Sequence, residues 1–201
     1  MEPLLPNNYY HIYNHANGND LIFKEAKNYN YFWVRYKNFI SPIADTLVYC
    51  LMPNHFHLLI RIKNENEIIN SMKGKAAINR YCSSESLLEK EKVISLYASK
   101  QFANLFSSYS QAFNKMYGRM GSLFMKNFKR KQVGDENYLK DLILYIHLNP
   151  IKHNFVKKPD DWIYSSYYSI LYDESTFIKR NDVIDLFGDV DNFKFCHFND
   201  L

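Results

Sequence analysis

The chain has 201 residues, the size of one domain or of one domain with an appendage. Hydrophobic residues make up 47% and charged residues 23%, which is a globular composition and excludes a disordered one. No apolar run reaches the ~18 residues of a membrane-spanning helix, and the start MEPLLPNNYYHIYNH lacks the basic-then-apolar order of a signal peptide. Three cysteines, Cys50, Cys82 and Cys196, stand at unrelated spacings and suggest neither a disulfide framework nor a zinc cluster. The expected setting is therefore reduced and cytoplasmic, with no membrane partner.

The net charge is +4, and its distribution says more than its sum. From Val93 to Gly134 there is no Asp or Glu, while Lys100, Lys115, Arg119, Lys126, Lys129, Arg130 and Lys131 fall in that stretch. From Pro159 onward there are nine acids and three bases. Uncompensated positive charge attracts phosphates, so the basic stretch is either a polyanion-binding surface or a solvated basic face.

In chain order, Tyr9–Asn14 reads as a strand followed by a turn at ANGND. Leu21–Ile40 is helical for much of its length, because Phe32, Tyr36 and Phe39 recur at helical spacing. Thr46–Leu51 and His55–Ile62 are strands close enough to pair as an antiparallel hairpin across Met52-Pro53-Asn54. A polar helical insertion is expected around residues 64–100, its SSESLLEKEK portion having a capping-like start. Ile94–Tyr117 is a long helix with Phe102, Leu105, Phe106, Tyr109, Phe113 and Met116 on its expected buried face, closed by Gly118 and Gly121. Ser122–Phe128 is the expected fourth strand. Glu136–Leu148 is a helix with Leu139, Leu142, Ile143 and Ile146 as its stripe, ended by Pro150. The order predicts an α+β domain over residues 1–170, an antiparallel sheet with helices packed on one face, followed by an acidic tail over 171–201.

Two local constellations carry chemistry. Strand alternation puts His55 and His57 on one face, ~7 Å apart, and turns Phe56 to the other. Two such imidazoles either converge on one divalent ion or are unrelated residues of a half-exposed sheet surface. Tyr145 and Asn149 in LYIHLNP lie one helical turn apart on one face. Asn149 can ligate a hard cation through its amide oxygen or cap the helix. The Tyr145 phenol can attack phosphorus or simply pack its ring.

Five segments occur in the order YHIYNHA, LMPNHFHLLI, GSLFMKNFKR, YIHLNP and DDWIYSSY. From about Tyr9 to Tyr168 this resembles the REP-associated tyrosine transposases, HUH single-tyrosine enzymes of the insertion-sequence-200-like group. The resemblance implies a ferredoxin-like HUH endonuclease-type fold. It implies that His55 and His57 hold Mg²⁺ or Mn²⁺, that Asn149 is the third metal ligand, and that Tyr145 is the catalytic nucleophile. It further implies cleavage and rejoining of single-stranded or hairpin DNA through a 5′-phosphotyrosine, by a monomer or a homodimer. Lys126, Lys129, Arg130 and Lys131 are the candidates for DNA-backbone contact, which positions a strand without reading it. The alternatives are a DNA-binding regulator of the same fold that no longer cuts, and a metal-dependent phosphoester hydrolase.

Overall fold

The computed structural model describes residues 2–172 and 176–199. Asp173, Glu174 and Asp200, which contribute to the acidic tail, lie outside the described residues. Four strands form one sheet: β1 (Tyr9–His15), β2 (Ala44–Met52), β3 (His55–Ile62) and β4 (Lys129–Val133). The order is β2-β3-β1-β4, and all three neighbouring pairs are antiparallel. β2 and β3 meet across the turn at Pro53 and Asn54, with Met52 opposite His55. β1 and β3 place His15 opposite His55 and Tyr13 opposite His57.

One sheet face is covered by α1 (Ala26–Phe39) and α4 (Leu87–Tyr117). Phe56, Leu58, Ile60, Tyr10 and Ile12 of the strands pack there with Phe32, Tyr36, Phe102, Leu105 and Tyr109. Truncating one of these buried phenylalanines costs about 3–5 kcal/mol. The expected insertion adds α2 (Glu65–Met72), α3 (Ala76–Cys82) and the first turns of α4. Ile68 and Met72 of α2 join the same core, and Ser86 with Glu89 forms the capping box that starts α4.

The opposite face is also covered, so the expected arrangement with helices on one face is corrected. α5 (Glu136–Lys152) lays Leu139, Leu142, Ile143 and Ile146 over Val48, Cys50, Met52 and Leu59. The reason is that this face is apolar over β2 and at Leu59 of β3, and polar at His55 and His57 and over β1 and β4. The apolar half must be buried, while the polar half, with His11, Tyr13, His55, His57 and Lys131, lines a cleft. α6 (Tyr167–Leu171), α7 (Arg180–Phe187) and α8 (Val190–Asn199) complete this layer, burying Tyr167, Ile170, Val183, Phe187 and Phe193. Among the described residues, no helix is long and apolar enough to cross a membrane.

α1 starts later and α4 earlier than expected, and Met116 on the expected buried face of α4 is exposed; two further differences bear on the site. The fourth strand is the basic run Lys129–Val133, not Ser122–Phe128. In the earlier segment Leu123 and Phe124 are adjacent and both buried, which the alternation of a half-buried strand does not allow. Asn127, with a φ of 60°, then breaks any extended run. α5 continues past Pro150 to Lys152. The proline lies in the last turn, where the missing N–H removes one rung, and the chain turns only at Asn154, with its φ of 58°.

Candidate active site

His55 and His57 leave β3 on the same face, as alternation requires, with ring centroids 5.2 Å apart. They do not lie on an open surface. α5 roofs them, and they are 3% and 4% exposed. Both line a cleft of about 500 Å³ with His11, Tyr13, His15, Lys131, Asp141, Tyr145 and His153.

Each ring is held by a specific partner. His55 Nδ1 lies 2.8 Å from Asn54 Oδ1, and its Nε2 lies 2.9 Å from Asn149 Oδ1. His57 Nδ1 lies 2.9 Å from His11 Nε2. His15 stacks on His55 at 4.7 Å between ring centroids, and His153 meets it edge-on at 5.2 Å. Burial, with neighbouring imidazoles adding to it, pushes His57 down to about 2. Burial pushes His55 down to about 4, partly opposed by the hydrogen bond to Asn149. His11 is pushed down to about 4 by burial and by Lys131. The three rings are therefore neutral near pH 7 and keep the lone pairs a metal needs.

Among the described residues, no group of three or more His, Cys, Asp or Glu side chains surrounds one metal position. The candidate set is instead two imidazoles and one amide oxygen. Adjacent donors on an octahedral ion with ~2.1 Å bonds stand ~3.0 Å apart. The 2.9 Å between His55 Nε2 and Asn149 Oδ1 fits that edge. With Nδ1 of His57 occupied by His11, its Nε2 is the nitrogen left for a ligand. Imidazole donors suit Mn²⁺ better than Mg²⁺, which prefers an all-oxygen shell.

Tyr145 is one turn before Asn149 on α5 and 39% exposed. Its ring stands edge-on to His57 at 5.3 Å and to His11 at 6.2 Å. The Lys152 ammonium lies 5.3 Å from the Tyr145 ring centroid. Tyr145, Asn149, His55 and His57 are thus brought together from two elements about ninety residues apart.

The four basic candidates separate. In β4, Lys129 and Lys131 pair with Tyr13 and His11, so both lie on the histidine face. Arg130 pairs with Ile12 and turns to the other face, where its Nη1 donates to Ser99 Oγ of α4 at 2.6 Å. Lys126 lines a second groove with Arg130, on the α4 side of the sheet. Arg130 and Lys126 therefore lie away from the histidine cleft, because strand alternation carries Arg130 to the face opposite Lys129 and Lys131.

Sequence reasoning did not single out His11, Asn54 or His153. For His11 the signal was present: His11, Tyr13 and His15 alternate at period two, which puts all three on one face of β1. His153 had no such signal, since it lies beyond the expected end of its helix.

No protein-family profile matches the chain. A chain of Haemophilus influenzae that carries the name REP-associated tyrosine transposase is 25% identical over 126 residues. That match spans 62% of this chain and 59% of the relative. A solved structure of a REP-associated tyrosine transposase bound to a REP hairpin superposes with a TM-score of 0.52 at 13% identity, covering 85% of this chain and 82% of that one. The chain therefore resembles one REP-associated tyrosine transposase in sequence and shares the α+β fold of another, as its five ordered motifs lead one to expect.

Proposed function

We propose that the chain is a transposase-like enzyme that cuts and joins single-stranded or hairpin DNA. The observation that supports this most is the Tyr145 ring, partly exposed and 5.3 Å from His57, in one cleft with His55, whose Nε2 meets Asn149 Oδ1. A phenol held beside a candidate metal centre suits in-line attack on phosphorus. In that step the Tyr145 oxygen bonds to phosphorus and the bond to the 3′ oxygen breaks. The phenol proton leaves through the open side of the cleft, and the leaving 3′ oxygen takes one up as a hydroxyl. The 5′ phosphate stays on Tyr145 as an ester, so the reverse attack by a 3′ hydroxyl joins strands without another energy source. A divalent ion held by His55, His57 and Asn149 would neutralise charge on the scissile phosphate. Lys129 and Lys131, on the same face, position the backbone.

The test is incubation of the protein with single-stranded hairpin DNA and Mn²⁺, followed by denaturing electrophoresis. Wild type should give a covalent protein–DNA adduct. Tyr145→Phe keeps the ring packing against His57 and His11, so it should fold and bind DNA yet give neither adduct nor cleavage. Added metal should not rescue it, because the attacking oxygen is gone. Wild-type protein that binds DNA without any adduct selects the non-cutting regulator. A Tyr145→Phe variant that cuts at the wild-type rate refutes the nucleophile.

A further inference from the structure

α5 points its functional side chains two ways. Tyr145 and Asn149 face the cleft. His147 is two residues from each, about 200° around the helix from both, and it is fully buried on the far side. Its Nε2 lies 2.8 Å from Ser166 Oγ and its Nδ1 lies 2.8 Å from His197 Nε2. Ser166 immediately precedes α6, and its hydroxyl oxygen accepts the Tyr49 N–H of β2 at 2.9 Å. His197, on α8, is also fully buried, with Nδ1 2.7 Å from the Phe193 carbonyl oxygen. A neutral imidazole has one donor and one acceptor, and His147 uses both. A chain of side chains thus ties β2 and α8 to the back of the helix that carries Tyr145.

The same helix has an internal weakness. Pro150 cannot donate to the Ile146 carbonyl, so the rung from Ile146 to Pro150, one residue past that from Tyr145 to Asn149, is missing. His147 lies between the two ends of the missing rung. An external brace therefore stands where the internal one is lacking.

We propose that His147 and His197 are positioning residues through which α8 sets the angle of α5, and so the aim of Tyr145 and Asn149 at His57 and His55. The proposal rests on Tyr145 being the nucleophile. It gives a role to the C-terminal helices, which lie outside the five motifs. The lever is long: a tyrosine hydroxyl stands roughly 9 Å from its helix axis, so ~10° of rotation moves it ~1.5 Å, and misplacement by ~1 Å can cost on the order of a hundredfold in rate.

The experiment uses the full chain with His197→Leu, which leaves His147 Nδ1 unpaired, and His197→Gln, which restores a polar partner. Three quantities are measured well below the unfolding temperature. They are hairpin-DNA affinity, the single-turnover adduct rate at saturating DNA, and the nuclear Overhauser effect between the Tyr145 and His57 rings. In His197→Leu the adduct rate should fall at least roughly tenfold, with affinity within about twofold of wild type and no Overhauser effect between the two rings. His197→Gln should recover both the rate and the Overhauser effect. Ser166→Ala cuts the chain at its other end and should show the same pattern as His197→Leu, which keeps the test open if that variant does not fold. A wild-type rate, or a lowered rate with the Overhauser effect intact, overturns the brace. If wild type itself forms no adduct, the nucleophile reading fails, and the Overhauser effect alone still decides whether α8 aims α5.

Discussion

Replacing His11 by Phe isolates one hydrogen bond at the centre of the site. The substitution keeps a ring of similar size, so the stack on Tyr13, at 4.6 Å between centroids, can persist. It removes Nε2, which lies 2.9 Å from His57 Nδ1. His57 is 4% exposed, so water does not readily take the vacated place. For Nε2 of His57 to bind an ion, Nδ1 must carry the ring proton and donate it to an acceptor. His11 is that acceptor. Without it, the binding tautomer has a buried N–H with no partner, at a cost of about 1–3 kcal/mol. At 1.36 kcal/mol per tenfold, that is roughly 5- to 150-fold in affinity. Outer-shell partners of metal-bound histidines independently carry about 10- to 100-fold.

The assay is a Mn²⁺ titration of the folded protein, with free ion read by electron paramagnetic resonance. His11→Phe should weaken Mn²⁺ binding by about 10- to 100-fold, and the adduct rate should recover as Mn²⁺ is raised to saturation. Tyr13→Phe, which touches the same cleft without bonding His57, is the control and should change affinity little. A folded His11→Phe protein that binds Mn²⁺ as wild type does would refute the argument, since it would show that the His11 hydrogen bond does not select the tautomer of His57.

Two further outcomes follow from the same geometry. Lys129→Gln with Lys131→Gln removes two candidate phosphate contacts, so the slope of log affinity against log salt should fall by about 1.4, at ~0.7 per contact on single strands. Arg130→Gln should leave that slope in place, because Arg130 faces α4; fluorescence anisotropy across a salt series separates the two, and an equal effect from Arg130 would contradict the assignment. In chelator, acid should destabilise the fold. His11 and His55 are held down to about 4, His57 to about 2, and His147 well below its ordinary 6.5, all chiefly by burial. The unfolded chain therefore takes up protons that the folded chain refuses. Stability is full above about pH 6.5 and falls as pH drops through the unfolded value, by up to ~1.4 kcal/mol per pH unit for each ring, until that ring's folded value is reached. A urea midpoint that stays flat from pH 7 to pH 5 would show that these rings are not buried neutral.

The parts of the fold that one strong pattern dictates were legible in the sequence. β3 begins at His55 and ends at Ile62 as expected, because its run of apolar residues is long and Pro53-Asn54 marks the turn before it. The buried face of α4 was legible for the same reason, its aromatic residues recurring over many turns. β4 was not, since KRKQV carries charge where a core strand carries apolar residues. It pairs through its backbone with β1, and the side chains record nothing of that. The basic run looked like one patch in the sequence, yet pairing splits it between two faces. His55, His57, Tyr145 and Asn149 were legible individually. Their partners in the cleft, His11 from β1 and His153 from beyond Pro150, depend on strand register and on a helix that runs through its proline.

The charge of the cleft yields a last expectation. The candidate donors, His55, His57 and Asn149, are all neutral. Lys131 lines the same cleft, Lys152 stands beside Tyr145, and Asp141 is the single carboxylate among the described lining residues. The protein therefore offers a divalent cation ligands but little negative charge, in a partly buried place where uncompensated charge is costly. A phosphodiester in the cleft supplies that charge, so DNA and cation should each tighten the other. Coupling between two ligands is reciprocal and typically about 5- to 150-fold. Mn²⁺ affinity measured with and without saturating hairpin DNA, on Tyr145→Phe so that no cleavage intervenes, reads it directly. The affinity should rise at least roughly fivefold with DNA present. His57→Ala should abolish the gain by removing the ion's site. Equal Mn²⁺ affinities with and without DNA would mean that the scissile phosphate does not share the cleft with the cation, and the proposed site would then lack its central interaction.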